Sequence, residues 1–581
     1  MKFKNIRIKN FRNFKDVSID LDNKNIFFGL NDIGKTNFLY AIRYVLDKNI
    51  RKNNLIDSDF HKKNINEPIE ILISIDLSDS TNEDTDKLRS ILKGPLLSNE
   101  NILYIKLHAD FISSEDIAYP LLYWGGNLDT LIEMSQSHNL YEIDKIFNVI
   151  YIDSYINLNT LFKKNISKLL VLTNNDDDIL NEINSDIDNL NNKLSNMDSI
   201  TKIENDLSSS LQKLANDLQK VSIVPEISLN RFQDSLTPYI HQENDNKLYP
   251  TSGDGRKKLI CYSLINLLAN NNDLSKINIY LIEEPENHLH KSLQIALSNM
   301  LFNDNNFNYL FLTTHSSYIL YEMDNVNLVR IYNNKNINTS SLLFRVPSNY
   351  QQYKKMLTRT LSEAIFSNKV LLVEGISELL LFEKVLSVVY PNYEAKGIYI
   401  LCVNGISFEK YVEILTALNI KTIIKTDNDL KECEQKHNPN SYFLGFKRCN
   451  NLINDKNKSL PIDEIDISKL KKSEIIKLKK EKYDEHKDLL DLIRKEHNIY
   501  LSICDLENDL YDVLKEPLTS YLKQIKDNPK CKKNVVNYLQ ESKCYNMAKM
   551  ITYLTDDDCR TIYEHYNFAC LKEVTKTDDT N

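Results

Sequence analysis

The sequence predicts an α/β protein in which an N-terminal unit with a strand, glycine loop and helix is followed by a C-terminal parallel-sheet unit, and three observations carry that prediction. From Val370 the chain reads VLLVEGISE, four apolar residues suited to a strand buried on both faces and then Glu374-Gly375 where the strand should end. A helical stretch from Glu378 to Val388, a second apolar strand from Ile398 to Val403, a further amphipathic helix and a third strand closing in TDND at Thr426 to Asp429 complete a β-α-β-α-β succession. Near the N-terminus, G-x-x-x-x-G-K-[ST] spans Gly29 to Thr36 between the apolar strand NIFF and an apparent helix from Asn37 to Leu46.

Composition narrows the class before any motif is used. A chain of 581 residues is long enough for two to four domains with cores of their own. With 42% hydrophobic and 26% charged residues it reads as soluble and globular, and 11 glycines with 13 prolines leave little room for long linkers. No run of 18 apolar residues is present, and Met1 leads straight into the alternating KFKNIRIKNF, so the expectation is a cytoplasmic protein with no membrane partner. The nine cysteines are scattered singly without a C-x-x-C pair, which supports neither a disulfide framework nor a zinc site. A net charge of −9 argues against a uniformly basic coat for nucleic acid, although local patches matter more than the sum.

In chain order, residues 1–28 read as an antiparallel pair, Ile6 to Phe14 and then Val17 to Phe28, feeding the glycine loop. Gly29 and Gly34 let backbone amides of the loop (Asn31, Asp32, Ile33, Gly34 and on to Asn37) turn toward phosphate oxygens; Lys35 reaches the β and γ positions and Thr36 helps hold Mg²⁺. From Leu180 apolar residues recur at Ile183, Ile187, Leu190, Leu194 and Met197, a heptad seam. It slips after Ile200 and resumes through Leu207, Leu211, Leu214, Leu218 and Val221, predicting two helical segments or a stutter that pairs with another subunit or folds back on its own. Ile277 to Ile282 reads as an apolar strand ending in Glu283-Glu284, and YLFLTTHSS ends a further strand with His315. The boundary before the C-terminal unit is expected at Pro347 to Tyr353.

Acids at the carboxyl ends of the first and third strands of that unit can converge, because in open parallel sheets those ends line the ligand crevice. Glu374, Asp427 and Asp429 would repel one another there, and a hard divalent cation is their natural occupant. Further on, Lys469 to Lys487 carries basic clusters suited to a solvated face or to a surface that tracks phosphates. Ile499 to Tyr511 reads as an alternating strand that would put Asp505, Glu507 and Asp509 on one face. The basic KCKKN, Lys530 to Asn534, precedes LQESKCYNMAKMI, where Lys543 has a helix-like context, and the polar tail from Thr575 is expected to fray.

These segments carry a resemblance. IRIKNFRNF resembles the opening strands of SMC, RecF and related ABC-type ATPases. On that pattern INIYLIEEPENHLH resembles a Walker B strand, with Glu283 on the nucleotide's Mg²⁺ and Glu284 orienting the attacking water. Most ABC proteins have Asp where Glu283 stands. His315 matches the switch histidine, and TSGDGRKKL resembles the signature loop whose Ser252 and Gly253 close on nucleotide held by a second subunit, which implies self-association.

The EG pair with the later D-x-D resembles the TOPRIM domain. The whole chain is similar to the OLD-family nucleases, and within them to the nuclease subunits of the Gabija anti-phage systems. The resemblance implies an ABC-type ATPase head with a helical, coiled-coil-like insertion followed by a C-terminal TOPRIM domain. The division is 1–150 and 236–346 for the head, 151–235 for the insertion and 347–581 for the endonuclease. It further implies Mg²⁺ or Mn²⁺ at the nuclease site, ATP with Mg²⁺ at the head, double-stranded DNA as substrate, a dimer or tetramer, and a helicase-type partner subunit. By motif, Glu374, Asp505 and Lys543 would be catalytic acid, second-site acid and helper lysine, with Glu378, Asp427, Asp429 and Glu507 completing the metal shell. Lys549 in place of Lys543 and Asp509 in place of Asp505 stay open. The rival class is an SMC- or RecF-like DNA clamp whose carboxylates hold a structural ion. A topoisomerase is a weaker fit, since no strand-transfer tyrosine is identifiable.

Overall fold

A computed structural model describes the chain except residues 31, 92–100, 138–139, 156, 164–176, 215–221, 224–238, 243–244, 251–252, 271–275, 304–306, 323–325, 333–341, 346–359, 406–407, 434–439, 454–458, 526–533 and 577–581. The boundary expected at Pro347 to Tyr353, the seam residues Leu218 and Val221, the loop residues Asn31 and Ser252, and most of the KCKKN stretch lie outside the described residues.

The N-terminal strand Lys2–Phe11 alternates buried and exposed side chains, as a strand with one wet face must. It pairs antiparallel with Phe14–Asp20 on one side and Ile69–Asp76 on the other, and Ile102–Ala109, Leu121–Gly125 and Ile132–Glu133 extend the sheet. The stretch Val17 to Phe28, expected as one strand, is two. Asp22 N–H donates to Asn25 Oδ1 at 2.8 Å and Asn23 N–H to the Asp22 carboxylate at 2.8 Å. These local side-chain bonds outcompete ladder pairing and break the strand. The second piece, Lys24–Phe28, therefore crosses to a different sheet.

In that second sheet the order is Phe147–Ile152, Ile277–Glu283, Leu310–Thr314, Lys24–Phe28, Asn327–Tyr332 and Leu342–Arg345, all parallel except the last. Lys24–Phe28 thus runs between strands that arrive about three hundred residues later in the chain, a placement no local pattern announces. The third sheet is fully parallel, in the order Ile398–Cys402, Lys369–Val373, Lys421–Thr426 and Ile499–Leu501. Its central strand is apolar from Val370 to Val373 because helices cover both faces.

The second and third sheets share one continuous core. Ile26, Phe28, Leu310 and Leu312 belong to the same buried cluster as Val370, Leu372 and Leu401, and the rings of Phe28 and Phe366 meet edge to face at 5.4 Å. Arg330, on the strand beside Lys24–Phe28, is buried and donates to the carbonyls of Leu418 and Ser367 at 2.7 Å each. Only charged hydrogen bonds of this kind make so buried a guanidinium tolerable, so it ties the neighbour of the strand that leads into the glycine loop to the start of the strand that ends at Glu374.

The described part of the heptad seam lies on two helices, Asp177–Ser195 and Asp198–Leu214, so the break comes at Asn196 and Met197, ahead of the expected slip at Ile200. Along the seam Ile183, Ile187 and Leu194 are half-buried, while Leu190, Met197 and Leu207 are exposed. Among the described residues no helix is long and apolar enough to cross a membrane.

Candidate active site

The parallel sheet of the C-terminal unit delivers its acids to one end. Glu374 follows directly on Lys369–Val373, and Asp427 with Asp429 on Lys421–Thr426. Glu374 Oε1 accepts from Thr426 Oγ1 at 2.5 Å, from Asp427 N–H at 2.9 Å and from Arg448 Nη1 at 2.5 Å. Glu378 sits in the first turn of the following helix, Ile376–Val389, and is buried. The Asp427 carboxylate accepts from Ser502 Oγ at 2.9 Å, just past the neighbouring strand Ile499–Leu501.

Asp505, Glu507 and Asp509 are not on an alternating strand. Pairing stops at Leu501, and Leu506–Val513 is a helix capped by Asp505, whose carboxylate accepts from Asn508 N–H at 2.8 Å. The apolar residues Leu506 and Leu510 recur at helical spacing and are buried, which favours a helix over a strand. The three acids therefore diverge. Asp505 stays at the crevice and accepts from Gln540 Nε2 at 3.1 Å, while Asp509 turns inward to Lys425 at 3.6 Å and to the backbone N–H of Ile503 and Cys504. Glu507 is buried, within electrostatic reach of Glu378.

Burial pushes the Glu378 carboxyl up to about 7, with Glu374 and Glu507 adding like charge. Burial also carries Asp427 well above its ordinary range, reinforced by Glu378, Glu374, Asp429 and Asp505. Among the described residues no three His, Cys, Asp or Glu side chains are close enough to enclose an ion. The donor set is nonetheless one of hard carboxylate oxygens that destabilise each other's charge, which is the chemistry a divalent cation such as Mg²⁺ or Mn²⁺ relieves. Lys543 opens the helix Lys543–Ile551, which packs against the helix carrying Glu378; its side chain lies outside the described part. Lys549 is exposed and stacks over the Tyr545 ring at 4.4 Å.

In the head, Lys35 starts the helix Lys35–Leu46 and is buried, with Nζ donating to the carbonyls of Leu30 at 2.7 Å and Gly29 at 3.2 Å. A side chain at Gly29 would lie 2.2 Å from the Ile331 carbonyl at a φ of +153°, so the loop needs glycine there. Burial lowers the Lys35 ammonium to about 8. Across the sheet end, His315 Nε2 lies 2.8 Å from Glu284, and that bond, helped by Asn287, holds Glu284 down at about 2. Glu283 is pushed up by burial, and its Oε1 is buried with no hydrogen-bond partner among the described residues, an opening for a hydrated cation held with Thr36. Gly253 precedes the helix Asp254–Asn270, in which Lys258 reaches the Glu284 and Asn287 carbonyls.

Comparison with known proteins bears on both sites. The OLD-like TOPRIM domain family (overcoming lysogenization defect protein-like) matches residues 365–429, and the AAA ATPase domain family matches residues 1–169 and 142–320. The chain is 42% identical over 590 residues to Endonuclease GajA of Bacillus cereus strain VD045, covering 100% of each. The chain belongs to the GajA endonuclease family. This member is also 23% identical to the Old nuclease of Escherichia phage P2, over 74% of this chain and 77% of that one. The SMC head domain from Thermotoga maritima covers 60% of this chain and 100% of its own at 11% identity and a TM-score of 0.31. The family makes the protein an endonuclease with an ATPase-type head and a C-terminal TOPRIM domain.

Several side chains at these sites carry no sequence signal of their own. Arg448 lies in GFKRCN, with nothing around it to mark a site. Lys479, one of the run expected on a solvated or phosphate-tracking face, is buried with Nζ 3.8 Å from Asp429, whereas its neighbour Lys480 pairs outward with Asp512. Lys425 reads as a strand residue and becomes the buried partner of Asp509. Glu286, accepting from Thr314 Oγ1 and His315 N–H, could have been suspected from its place in EEPENHLH.

Proposed function

We propose that the protein is a divalent-metal-dependent DNA endonuclease of anti-phage defence whose nucleotide-binding head restrains the TOPRIM crevice. The reading is carried by one observation above all: Glu374, Glu378, Asp427 and Asp505 lie at one end of a parallel sheet, where burial and the neighbouring acids raise the carboxyls of Glu378 and Asp427. Mg²⁺ or Mn²⁺ there supplies Lewis acidity that activates water and stabilises the leaving oxygen of a phosphodiester. Glu374, Glu378, Asp427, Asp429, Asp505 and Glu507 are the residues to hold it, and Lys543 is the lysine assigned to offset charge growing on the phosphate. Asp505 takes the second-site role rather than Asp509, because Asp509 is committed to Lys425.

At the head, Lys35, Thr36 and the amides of Asp32 to Asn37 receive the phosphates, Glu283 the cation, and Glu284 with His315 the γ-phosphate end. Hydrolysing a phosphodiester is downhill and needs no ATP, so the head is a sensor: nucleotide favours a restrained crevice, and its depletion during infection releases cutting. The shared core and the Arg330 contacts offer a rigid route between the two ends. A second copy supplying the Ser252 and Gly253 loop, and a helicase-type partner, complete the proposal. A plasmid-nicking assay with Mg²⁺ or Mn²⁺, with and without ATP, tests it. Cutting should require metal, fall with ATP and vanish in Glu374→Ala. A folded Glu374→Ala protein that still cuts leaves the SMC-like clamp as the better reading.

A further inference from the structure

Glu374 Oε1 already has three donors: the Thr426 hydroxyl, the Asp427 amide and the Arg448 guanidinium. Arg448 also stands 4.0 Å from Asp429, so one guanidinium spans the two acids that end neighbouring strands. Its helix, Leu444–Leu452, does not need that ion pair for its position. Phe446 and Cys449 are buried, and Gly445 lies so close that a side chain there would meet the Asp427 carbonyl and Leu501 Cδ1 at 2.7 Å. The helix is seated by packing, and the seating aims Arg448 at Glu374. Beside the pair lies a cavity of about 230 Å³ lined by Glu374, Gly405, Phe408, Glu409, Arg448 and Asn451. The guanidinium has room to swing away from Glu374 without unpacking its helix.

We propose that Arg448 is a displaceable counter-ion: its guanidinium holds the Glu374 carboxylate until a divalent cation takes its place. The inference rests on Glu374 being a metal ligand. A bound arginine and an incoming cation compete for the same oxygen and repel each other, so Arg448 sets a threshold for metal occupancy. A DNA phosphate entering the crevice gives the guanidinium a planar anion to pair with and so frees Glu374, coupling metal loading to substrate. Arg448 is thus a positioning residue that acts through Glu374.

The test is Mn²⁺ binding by calorimetry to the full-length, nucleotide-free protein without DNA, alongside thermal melting. Arg448→Gln, which keeps hydrogen-bonding capacity and drops the charge, should bind Mn²⁺ about tenfold more tightly than wild type while melting within a few degrees of it. Arg448→Lys should stay near wild-type affinity. Arg448→Gln binding Mn²⁺ no more tightly than wild type overturns the inference. Wild-type Mn²⁺ binding that survives Glu374→Gln instead overturns the metal-ligand reading beneath it, so the two failures are told apart.

Discussion

The head and the C-terminal crevice both end parallel strands in acids, yet they handle the charge in opposite ways. In the head Glu284 is held by His315 and Asn287, Glu286 by Thr314 and the His315 amide, and Lys35 is sequestered among carbonyls, while Glu283 keeps one buried oxygen unpartnered among the described residues. In the crevice Glu374 is held by Arg448, but Glu378 and Asp427 raise the cost of each other's charge, and the ammonium of Lys425, which could have balanced them, is drawn off to Asp509. A site whose acids are individually paired is set to receive a ligand of fixed shape, such as a phosphate chain. Unbalanced acids leave repulsion for a cation to relieve.

The sharpest way to break that comparison is to neutralise Asp505 and Asp509 in turn. Asp505→Asn should lower cleavage on the order of a thousandfold with little change in melting temperature, since a metal contact is worth several kcal/mol in the transition state. Asp509→Asn should instead destabilise the fold by about 3 kcal/mol, because it strands Lys425 in the interior, and denaturant melts would show it. Equal activity loss without destabilisation in both would erase the distinction drawn between them.

Next in size, Lys35→Ala should weaken nucleotide binding by about a hundredfold, the scale of lost charged hydrogen bonds, and leave DNA cutting insensitive to ATP. Nicking that rises with ATP in wild type and disappears in Lys35→Ala would make the head a motor.

The pH dependence sharpens the crevice side. Glu378 titrates near 7 in the folded protein and near 4.5 when unfolded, so the native state holds the extra proton between those values. Stability of the metal-free protein should therefore fall as pH rises through that window, by up to about 3 kcal/mol. Added Mg²⁺ should raise the melting temperature more at pH 8 than at pH 5.5, and scanning calorimetry at the two pH values decides it.

The smallest effect expected is that of Gly445→Ala, which forces the Arg448 helix off the Asp427 carbonyl. It should cost about 1–3 kcal/mol and shift metal affinity as well, whereas a change of stability alone would detach the seating of that helix from the site.

Local pattern was enough where covalent neighbours dictate the outcome. The run from Val370 to Val373 is apolar because both of its faces are covered, and the glycine loop lies between strand and helix as its spacing requires. The acids that follow those strands sit at strand ends for the same reason. The pattern failed at Ile499 to Tyr511, where alternating acids matched a strand while Asp505, as a helix cap, and the spacing of Leu506 and Leu510 chose a helix. It failed again at Val17 to Phe28, where the side chains of Asp22 and Asn25 form a local turn.

By itself the sequence determined the α/β class, the order of the two units and which acids end strands, because each follows from periodicity and motif spacing within a few residues. Only the tertiary structure decided that Lys24–Phe28 is flanked by strands from the far end of the head, that Asp509 serves Lys425 while Asp505 stays at the crevice, and that Arg448 reaches Glu374. Those are choices of partner across long stretches of chain, made by burial, by the cost of unpaired charge in the interior and by the close seating of one helix at Gly445.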